Sequence, residues 1–297
     1  MKNNPLYISI IIVGYNTSNT LKESLQSLNN LIITNHMIEV IYIDDGSTDT
    51  SLEIFKNYQL KFNKKYFQCN NNQGRMYARN KGIQLASGEW ILFINSNIVV
   101  DPNLLIEYTE SINNNNAYVY AGCMNYLSTD SIFQKYLNQK SRGIKKYKNN
   151  QRIHYSNLLL SNSIIKKTIF DVIQLDINLR YYGGAELVFA YKLNKKNPNM
   201  MRATKGAVAT RINHLNYKEH LSKLIEYGQF NFKHLDKELK LNVVKCNILL
   251  TKNILCKSLF NMLYSLCIKG YKIPLISNHI IKLGMLSAIL KGYYKTQ

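Results

Sequence analysis

The stretch Ile8-Ser-Ile-Ile-Ile-Val-Gly-Tyr-Asn16 is an apolar, β-branched run that ends in glycine, tyrosine and asparagine. Three similar runs follow at residues 40–43, 66–69 and 90–94, and segments with helical spacing of apolar residues separate them. Buried parallel strands have this continuous apolar character, whereas half-exposed strands alternate. The repeated strand–helix units therefore predict an α/β fold, with a mainly parallel, Rossmann-like sheet covered by helices on both faces.

The composition limits the class of protein. The chain has 297 residues, of which 46% are hydrophobic and 19% are charged, so it can bury a large core in one or two domains. Thirty-eight Lys and Arg against 18 Asp and Glu give a net charge of +20, which predicts an anionic partner. The charge is uneven, because no acidic residue follows Glu238 while nine lysines do.

Polar residues follow three of the four apolar runs. Asn16 comes after the first run, Asp44 and Asp45 after the second, and Asn95-Ser96-Asn97 after the fourth. In open parallel sheets, ligands bind beyond the carboxyl ends of the strands, where these residues are expected to converge. The alternative is that Asn, Asp and Gly only form turns.

Four sequence blocks resemble the family 2 inverting glycosyltransferases, whose fold is called GT-A. They lie in the family's order at residues 8–16, 43–49, 72–82 and 87–93, the second reading Ile-Asp-Asp-Gly-Ser-Thr-Asp. The resemblance continues more loosely to about His214. It implies a GT-A nucleotide-sugar-binding domain over residues 1–215, followed by a basic helical region over residues 216–297.

The resemblance also implies a nucleotide site. Tyr15 and Asn16 match the loop that the family places at the base, and Arg79 matches an arginine that holds the nucleotide. The carboxylates of Asp44 and Asp45 can accept hydrogen bonds from a uracil-type N–H or a ribose hydroxyl. The alternative role for these residues is in turns and helix caps.

The chain departs from the family at the metal motif. An Asp-x-Asp motif that binds Mn²⁺ or Mg²⁺ is expected after the fourth strand, and Asn95 and Asn97 stand at its acidic positions. His214 matches a histidine that completes the metal shell or touches the diphosphate. Hard divalent cations prefer carboxylates, so a site made of Asn95, Asn97 and His214 would bind metal weakly. We expect the two asparagines to lie against the ribose and diphosphate.

Glu186 is the candidate general base. The family begins a helix with a Gly-Gly-Glu-Asp-type loop that supplies the base, and this chain has Gly183-Gly184-Ala185-Glu186. A carboxylate at this position can deprotonate an acceptor hydroxyl. The alternative is an acidic residue favoured by the helix dipole.

Basic residues near the end of the resemblance are candidates for the diphosphate. They are Arg202, Lys205, Arg211 and His214. Cationic side chains there could neutralise the leaving diphosphate in place of a metal ion. The resemblance implies that loops at residues 125–157 and 195–212 govern donor and acceptor preference. The polar, Lys- and Tyr-rich stretch from about residue 130 to residue 157 predicts a long surface excursion. An exposed helix is predicted over residues 217–240.

The acid-free end contains apolar residues at helical spacing with lysines between them. Such helices fit an anionic membrane surface, where lysines are attracted to acidic lipids. The alternative is a helical subdomain packed on the catalytic core or on a second subunit. No helix-turn-helix or RNA-type motif is apparent, so nucleic acid is not predicted as a partner.

The resemblance implies an enzyme that transfers a sugar from a nucleotide donor, a UDP-sugar, to a hydroxyl of a glycan or lipid-linked acceptor, with inversion. From family habit, the pathway is surface glycan assembly. The rival hypothesis is an inactive GT-A scaffold that serves as a binding or assembly subunit. The first apolar run is too short for a signal sequence, which predicts a cytoplasmic protein. The basic C-terminal helices predict a peripheral location on the inner face of the cell membrane.

Overall fold

The computed structural model describes residues 5–251 and 254–296. Eight strands are defined: β1 Tyr7–Gly14, β2 Met37–Asp44, β3 Asn63–Gln68, β4 Trp90–Asn95, β5 Ile98–Val100, β6 Val119–Tyr126, β7 Asn162–Lys166 and β8 Met201–Arg211. Ten α-helices accompany them: α1 Ser18–Asn29, α2 Ser51–Asn57, α3 Arg75–Leu85, α4 Leu104–Asn114, α5 Ser131–Leu137, α6 Ala185–Lys196, α7 Tyr217–Gln229, α8 Lys237–Val244, α9 Ile254–Gly270 and α10 Ser277–Tyr293.

All eight strands form one mixed sheet in the order β3-β2-β1-β4-β7-β6-β8-β5. The first four strands pair in parallel, and β6 also runs parallel to β8. β7 is antiparallel to both β4 and β6, and β5 is antiparallel to β8. The predicted mainly parallel α/β fold is confirmed, and the antiparallel strands were not foreseen.

Helices cover both faces of the sheet. Successive side chains of a strand point to opposite faces, so each strand contributes to both layers. Ile8, Ile10 and Ile12 of β1 pack with α1, α2 and α4 on one side. Ile11 and Val13 pack with α3 and α6 on the other. This arrangement explains why the first strand reads as a continuous apolar run.

The prediction of a surface excursion across residues 130–157 is wrong. Helix α5 and two short 3-10 turns lie in this segment, and five of its apolar residues are buried: Phe133, Tyr136, Ile144, Ile153 and Tyr155. These apolar residues are widely spaced among lysines and asparagines, so the sequence shows no periodic pattern that would predict their burial. The segment forms part of the core beside β6.

Two further expectations need correction. Residues 201–211 are not a loop but strand β8, which pairs with β5 and β6. The exposed helix predicted over residues 217–240 is two helices, α7 and α8, and α7 buries Tyr217, Leu221 and Leu224. Their apolar faces are covered by elements distant in sequence, which local patterns do not reveal.

The C-terminal helices pack against the rest of the molecule. Helix α10 lies so close to α7 that a Cβ on Gly228 would come within 2.0 Å of the Ile289 carbonyl oxygen. Tyr271 donates a hydrogen bond to Asp130 at the start of α5, at 2.6 Å. Ile281 and Leu290 belong to the same buried cluster as Phe133. Side chains from the two sides of the predicted boundary between residues 215 and 216 are therefore packed together.

Candidate active site

Seven of the predicted site residues fall into two groups at the carboxyl end of the parallel strands. Tyr15 and Asn16 follow β1, and Asp44 and Asp45 lie at the end of β2, its neighbour in the sheet. The second group lies beyond β4, where Arg79, Asn95 and Glu186 come together from three elements.

The first group joins two loops through hydrogen bonds. Asn16 has a positive φ of 50°, and its side-chain oxygen accepts a hydrogen bond from the backbone N–H of Thr48 at 2.9 Å. Its own N–H donates to the Ser47 hydroxyl at 2.9 Å. Tyr15 leaves 46% of its surface exposed, so its ring is free to stack on a planar ligand. Asn16 therefore shapes the loop, whereas Tyr15 presents a contact surface.

The two aspartates are buried but differ in their partners. Asp45 accepts hydrogen bonds from the backbone N–H groups of Gln73 and Gly74, at 2.8 and 3.0 Å. Burial raises the pKa of Asp45, and these N–H groups oppose the shift. The Asp44 carboxylate accepts one hydrogen bond, from the backbone N–H of Ser47, and its Oδ1 has no partner among the described residues. Asp45 thus anchors the start of α3, while Asp44 retains an unused acceptor.

Arg79 joins the second group into one constellation. Its guanidinium is 1% exposed, and it donates to Glu186 Oε1 at 2.8 Å and to Asn95 Oδ1 at 3.2 Å. Burial lowers the pKa of Arg79, and the Glu186 carboxylate opposes that shift. In the described part of the chain, Glu186 Oε2 accepts no hydrogen bond. One carboxylate oxygen is therefore fixed and the other is available.

The loop before Glu186 is supported by one residue of α7 and one just beyond its end. Gly183 and Gly184 both have positive φ angles, 79° and 83°, and pack against the Tyr227 ring. The side-chain amide of the buried Asn231 donates to the carbonyl oxygens of Tyr181 and Gly183, at 2.8 and 2.7 Å. These contacts set the start of α6 and the position of Glu186.

A cavity of about 450 Å³ opens beside Glu186 and Asn95. Glu186 is the single acidic residue among those that line it in the described chain. Five cationic residues line it: Arg75, Arg142, Lys145, Arg180 and Arg211. None of these five forms an ion pair with a carboxylate in the part of the chain that the structure covers. The cavity is accordingly suited to a polyanion.

Aromatic side chains contact two of these cations. The Arg142 guanidinium lies 4.1 Å from the centre of the Tyr136 ring, and that of Arg75 lies 5.7 Å from the Tyr182 ring. Such contacts orient a guanidinium while its N–H groups remain free to bind a ligand. Arg75 could have been suspected from sequence, since it follows Gly74 at the start of α3. Arg142 could not, because it lies in a segment interpreted as a surface loop.

His220 is a further cavity residue that the sequence did not suggest. It lies on α7 with its ring against Phe133, at 5.3 Å between centres, and its Nε2 has no hydrogen-bond partner among the described residues. Burial lowers the pKa of His220 to about 4, and the charges of Arg211, Arg142 and Lys223 add to the shift. At neutral pH it therefore presents a neutral imidazole to the cavity.

The four residues predicted at the diphosphate are not all together. Arg211 lines the cavity at the end of β8, where it pairs in register with Tyr126 of β6. Arg202 pairs with Tyr120, six residues earlier on β6, or roughly 20 Å away along the strand. Lys205 is exposed on the bulged part of β8, and His214 is exposed after it. Of the four, only Arg211 is among the residues that line the cavity.

The predicted metal position does not fit a divalent cation. The Asn95 oxygen already accepts from Arg79, whose buried positive charge would repel a second cation. Asn97 Oδ1 is buried without a partner, but as an amide it adds no negative charge. Throughout residues 5–251 and 254–296, no cluster of three or more His, Cys, Asp and Glu side chains could hold a metal ion.

A larger groove, of about 1120 Å³, lies between α3 and α6. Lys81, Lys192, Lys195 and Asp176 line it, together with apolar residues of the segment before α6. None of the predicted site residues lines this groove. The smaller cavity beside Glu186 is therefore the candidate active site.

The sheet order and the site at the strand ends define a GT-A fold. The sequence matches the family described as Glycosyl transferase family 2 over residues 9–173, more than half of the chain. The chain belongs to this family.

Two relatives are similar to about two thirds of this chain. The chain is 28% identical over 201 residues to Glycosyltransferase GlyG of Streptococcus pneumoniae, with 64% of this chain and 66% of the relative covered. It is 27% identical over 209 residues to a poly(ribitol-phosphate) beta-glucosyltransferase of Bacillus spizizenii, covering 68% of this chain and only 28% of that protein.

Among solved structures, S. aureus TarS 1–349 superimposes with a TM-score of 0.58 at 18% identity, covering 98% of this chain and 92% of that one. TarS 1–349 in complex with UDP-GlcNAc gives a TM-score of 0.58 at 17% identity. This similarity extends over the C-terminal helices and supports the fold.

Proposed function

We propose that the chain is an inverting glycosyltransferase that moves a sugar from a UDP-sugar to a hydroxyl of a glycan or lipid-linked acceptor. The observation that carries the proposal is the Glu186 carboxylate, held by Arg79 at the edge of a cavity whose other charged residues are all cationic. A general base beside a polyanion site is what this transfer requires.

The donor's nucleoside is proposed to bind at the ends of β1 and β2. The exposed Tyr15 ring can stack on the base, and Asp44 has an acceptor oxygen without a partner. Asn97, two residues after the end of the neighbouring β4, has another. Structural neighbours in complex with UDP and UDP-GlcNAc support this choice of nucleotide.

In the proposed reaction, Glu186 Oε2 takes the proton of the acceptor hydroxyl. The acceptor oxygen forms a bond to the anomeric carbon as the bond from that carbon to the phosphate oxygen breaks, with inversion. The electron pair leaves with the nucleoside diphosphate. Arg79, bonded to Glu186 Oε1, keeps the carboxylate in place during the transfer.

The leaving diphosphate is proposed to be neutralised by side chains and not by Mn²⁺ or Mg²⁺. Arg75 and Arg211 line the cavity, and neither is neutralised by a carboxylate within the described residues. Arg211 remains a candidate for the diphosphate, whereas Arg202 and Lys205 do not line the cavity. We expect UDP binding to be the same in EDTA and in Mn²⁺. A Mn²⁺ requirement for binding would contradict this part of the proposal.

The acceptor is proposed to belong to surface glycan assembly, at an anionic membrane surface. Relatives with cell-surface polymer names support this, including the poly(ribitol-phosphate) beta-glucosyltransferase and a poly-beta-1,6-N-acetyl-D-glucosamine synthase of Staphylococcus epidermidis. The acid-free, lysine-rich end of the chain supports the membrane location.

Glu186→Gln tests the role of the base. It keeps the shape of the side chain but cannot accept a proton, so we expect UDP-GlcNAc hydrolysis or transfer to fall at least roughly 100-fold. UDP affinity by calorimetry should stay within about threefold, because Glu186 is not proposed to touch the nucleotide. Glu23→Gln, an exposed change on α1, is the matched control and should leave both quantities unchanged.

An inactive GT-A scaffold is the second candidate, favoured by the two asparagines at the metal motif. A scaffold would show no donor turnover in the parent chain, and Glu186→Gln would then have nothing to abolish. If the parent chain binds neither UDP nor UDP-GlcNAc, with or without Mn²⁺, the enzyme proposal is wrong. Turnover that depends on Glu186 would eliminate the scaffold.

A further inference from the structure

Large apolar side chains are exposed along the hairpin of α9 and α10. Three lie on α9, and three lie on the turn that follows it. We call these six residues the apolar strip: Leu259, Met262, Leu266, Ile273, Leu275 and Ile276. Single exposed apolar residues are normal on a protein surface, but a contiguous group is typical of a binding surface.

The strip is separate from the packed side of α9. Leu259, Met262 and Leu266 are spaced by three and four residues, so they form one line along the helix. Phe260 and Cys267 point inward and are buried. Helix α9 therefore has an apolar sector wider than the part that the protein core covers.

The turn continues the strip to its most exposed point. Leu275 is 100% exposed and adopts a positive φ of 68°. An exposed leucine with a left-handed backbone conformation adds no stability to the fold. It makes no buried contact, and a glycine would adopt this backbone with less strain. An external apolar partner would account for a leucine at this position.

Lysines surround the strip, and no acidic residue accompanies them. Lys269, Lys272 and Lys282 are exposed around the turn, and no Asp or Glu follows Glu238. Within the described residues none of the three is part of an ion pair. A surface with apolar residues at its centre and only positive charge at its edge is complementary to an anionic lipid interface.

We propose that the apolar strip and these lysines dock the protein on an anionic lipid bilayer. The described helices include none that is long and apolar enough to cross a membrane, so the hairpin would lie along the interface. A second copy of the chain is a poorer occupant, because it would bring a second set of lysines to the same surface. The inference deepens the membrane location under the proposed function.

The docking surface is connected to the candidate active site through α10. Leu283 faces outward, while Met285, two residues later on the same helix, lines the cavity beside Glu186. An acceptor held in the lipid surface would thus be presented near the wall of the cavity. This arrangement suits a lipid-linked acceptor better than a freely diffusing one.

Co-sedimentation with vesicles tests the proposal. The full-length chain should pellet with phosphatidylcholine vesicles that contain a quarter phosphatidylglycerol, but not with pure phosphatidylcholine. Leu266→Gln with Leu275→Gln should lower the binding at least roughly tenfold. Each of Lys269→Gln and Lys272→Gln should lower it about fivefold at low salt and less at high salt.

Matched surface changes serve as controls. Met37→Gln replaces another exposed apolar residue, on β2, and Lys22→Gln replaces an exposed lysine on α1. Both should bind vesicles like the parent chain. Because the strip residues are exposed, all variants should keep the parent's thermal midpoint, which confirms that they fold.

The proposal is overturned if the parent chain does not bind the anionic vesicles, or if the strip variants bind as tightly as the controls. It is also overturned if the chain dimerises in solution and the dimer is lost in the Leu275→Gln variant, because the strip then joins two copies. UDP binding is measured on the same samples. Intact UDP binding without vesicle binding rejects the docking surface alone, and the reverse rejects the donor alone.

Discussion

Arg79 shows how one residue determines the geometry of the candidate site. A buried guanidinium is costly unless its charge is paired and its donors are used, and here Glu186 and Asn95 supply the partners. The resemblance placed Arg79 at the nucleotide, whereas its contacts in the structure are with the candidate base and the altered metal motif. Its charge occupies the region in which an Asp-x-Asp motif would gather a metal ion.

His220 should make stability depend on pH. Burial lowers its pKa to about 4 in the folded chain, against about 6.5 when unfolded. Between these values the unfolded chain binds a proton that the folded chain does not, so stability present above pH 6.5 is lost as the pH falls toward 4. The loss from this group is up to about 3 kcal/mol.

The His220→Phe variant isolates this effect, because phenylalanine does not titrate and the ring already packs against Phe133. Urea unfolding at pH 7 and pH 4.5 should show a smaller acid loss for the variant than for the parent chain. Equal losses in the two proteins would mean that His220 is protonated in the folded state. Asp45, whose pKa burial raises, acts in the opposite direction in both proteins and cancels in the comparison.

At the scale of elements, the turn into α6 positions Glu186, the candidate base. Gly184 has a φ of 83°, and a Cβ there would lie 2.8 Å from the Tyr227 ring. Gly184→Ala should therefore cost about 1–3 kcal/mol of stability and displace Glu186. We expect donor turnover, measured by UDP release, to fall more than tenfold, since small misplacements of catalytic groups are costly.

Gly143→Ala is the matched control for backbone strain. Gly143 lines the cavity and also has a positive φ, 54°, but apart from its chain neighbours no atom of the described residues lies within 4 Å of the position that a Cβ would take there. The variant should lose some stability and keep most of its turnover. If Gly184→Ala retains parental turnover, the position of the turn does not govern the base.

At the scale of the whole molecule, the C-terminal helices complete the fold as well as carry the apolar strip. Removal of residues 240–297 would uncover α7, which packs on α10 through Gly228 and the Ile289 carbonyl. Burying Ile281 and Leu290 alone is worth several kcal/mol, comparable to the net stability of a typical domain. We expect the truncated chain to lack a cooperative thermal transition in calorimetry.

This expectation bears on the two predicted regions, residues 1–215 and 216–297. If a chain that ends at residue 215 melts cooperatively near the parent temperature, the front part is an independent domain and the interface with α10 is dispensable. Point variants of exposed residues, and not truncation, are therefore the proper tests of membrane docking.

The first half of the fold could be predicted because its signals are local. Strands buried on both faces must be apolar throughout, so β1, β2 and β4 are legible as continuous runs, and polar residues at their ends mark the site edge. Helix α5 and strand β8 were missed, because partners distant in sequence bury them. Local periodicity does not report such partners.

The amino-acid sequence was sufficient to predict the sheet of the front half and the family, and it named Glu186 and Arg79 as candidate site residues. Three-dimensional packing was needed to show that Arg79 binds Glu186, that Arg142 and His220 line the cavity, and that Arg202 does not. Packing also showed that the C-terminal helices lie against the core and that some of their lysines lie beside the apolar strip. The reason is that charge and composition are additive along a chain, whereas a site is a set of distances between segments that only packing brings together.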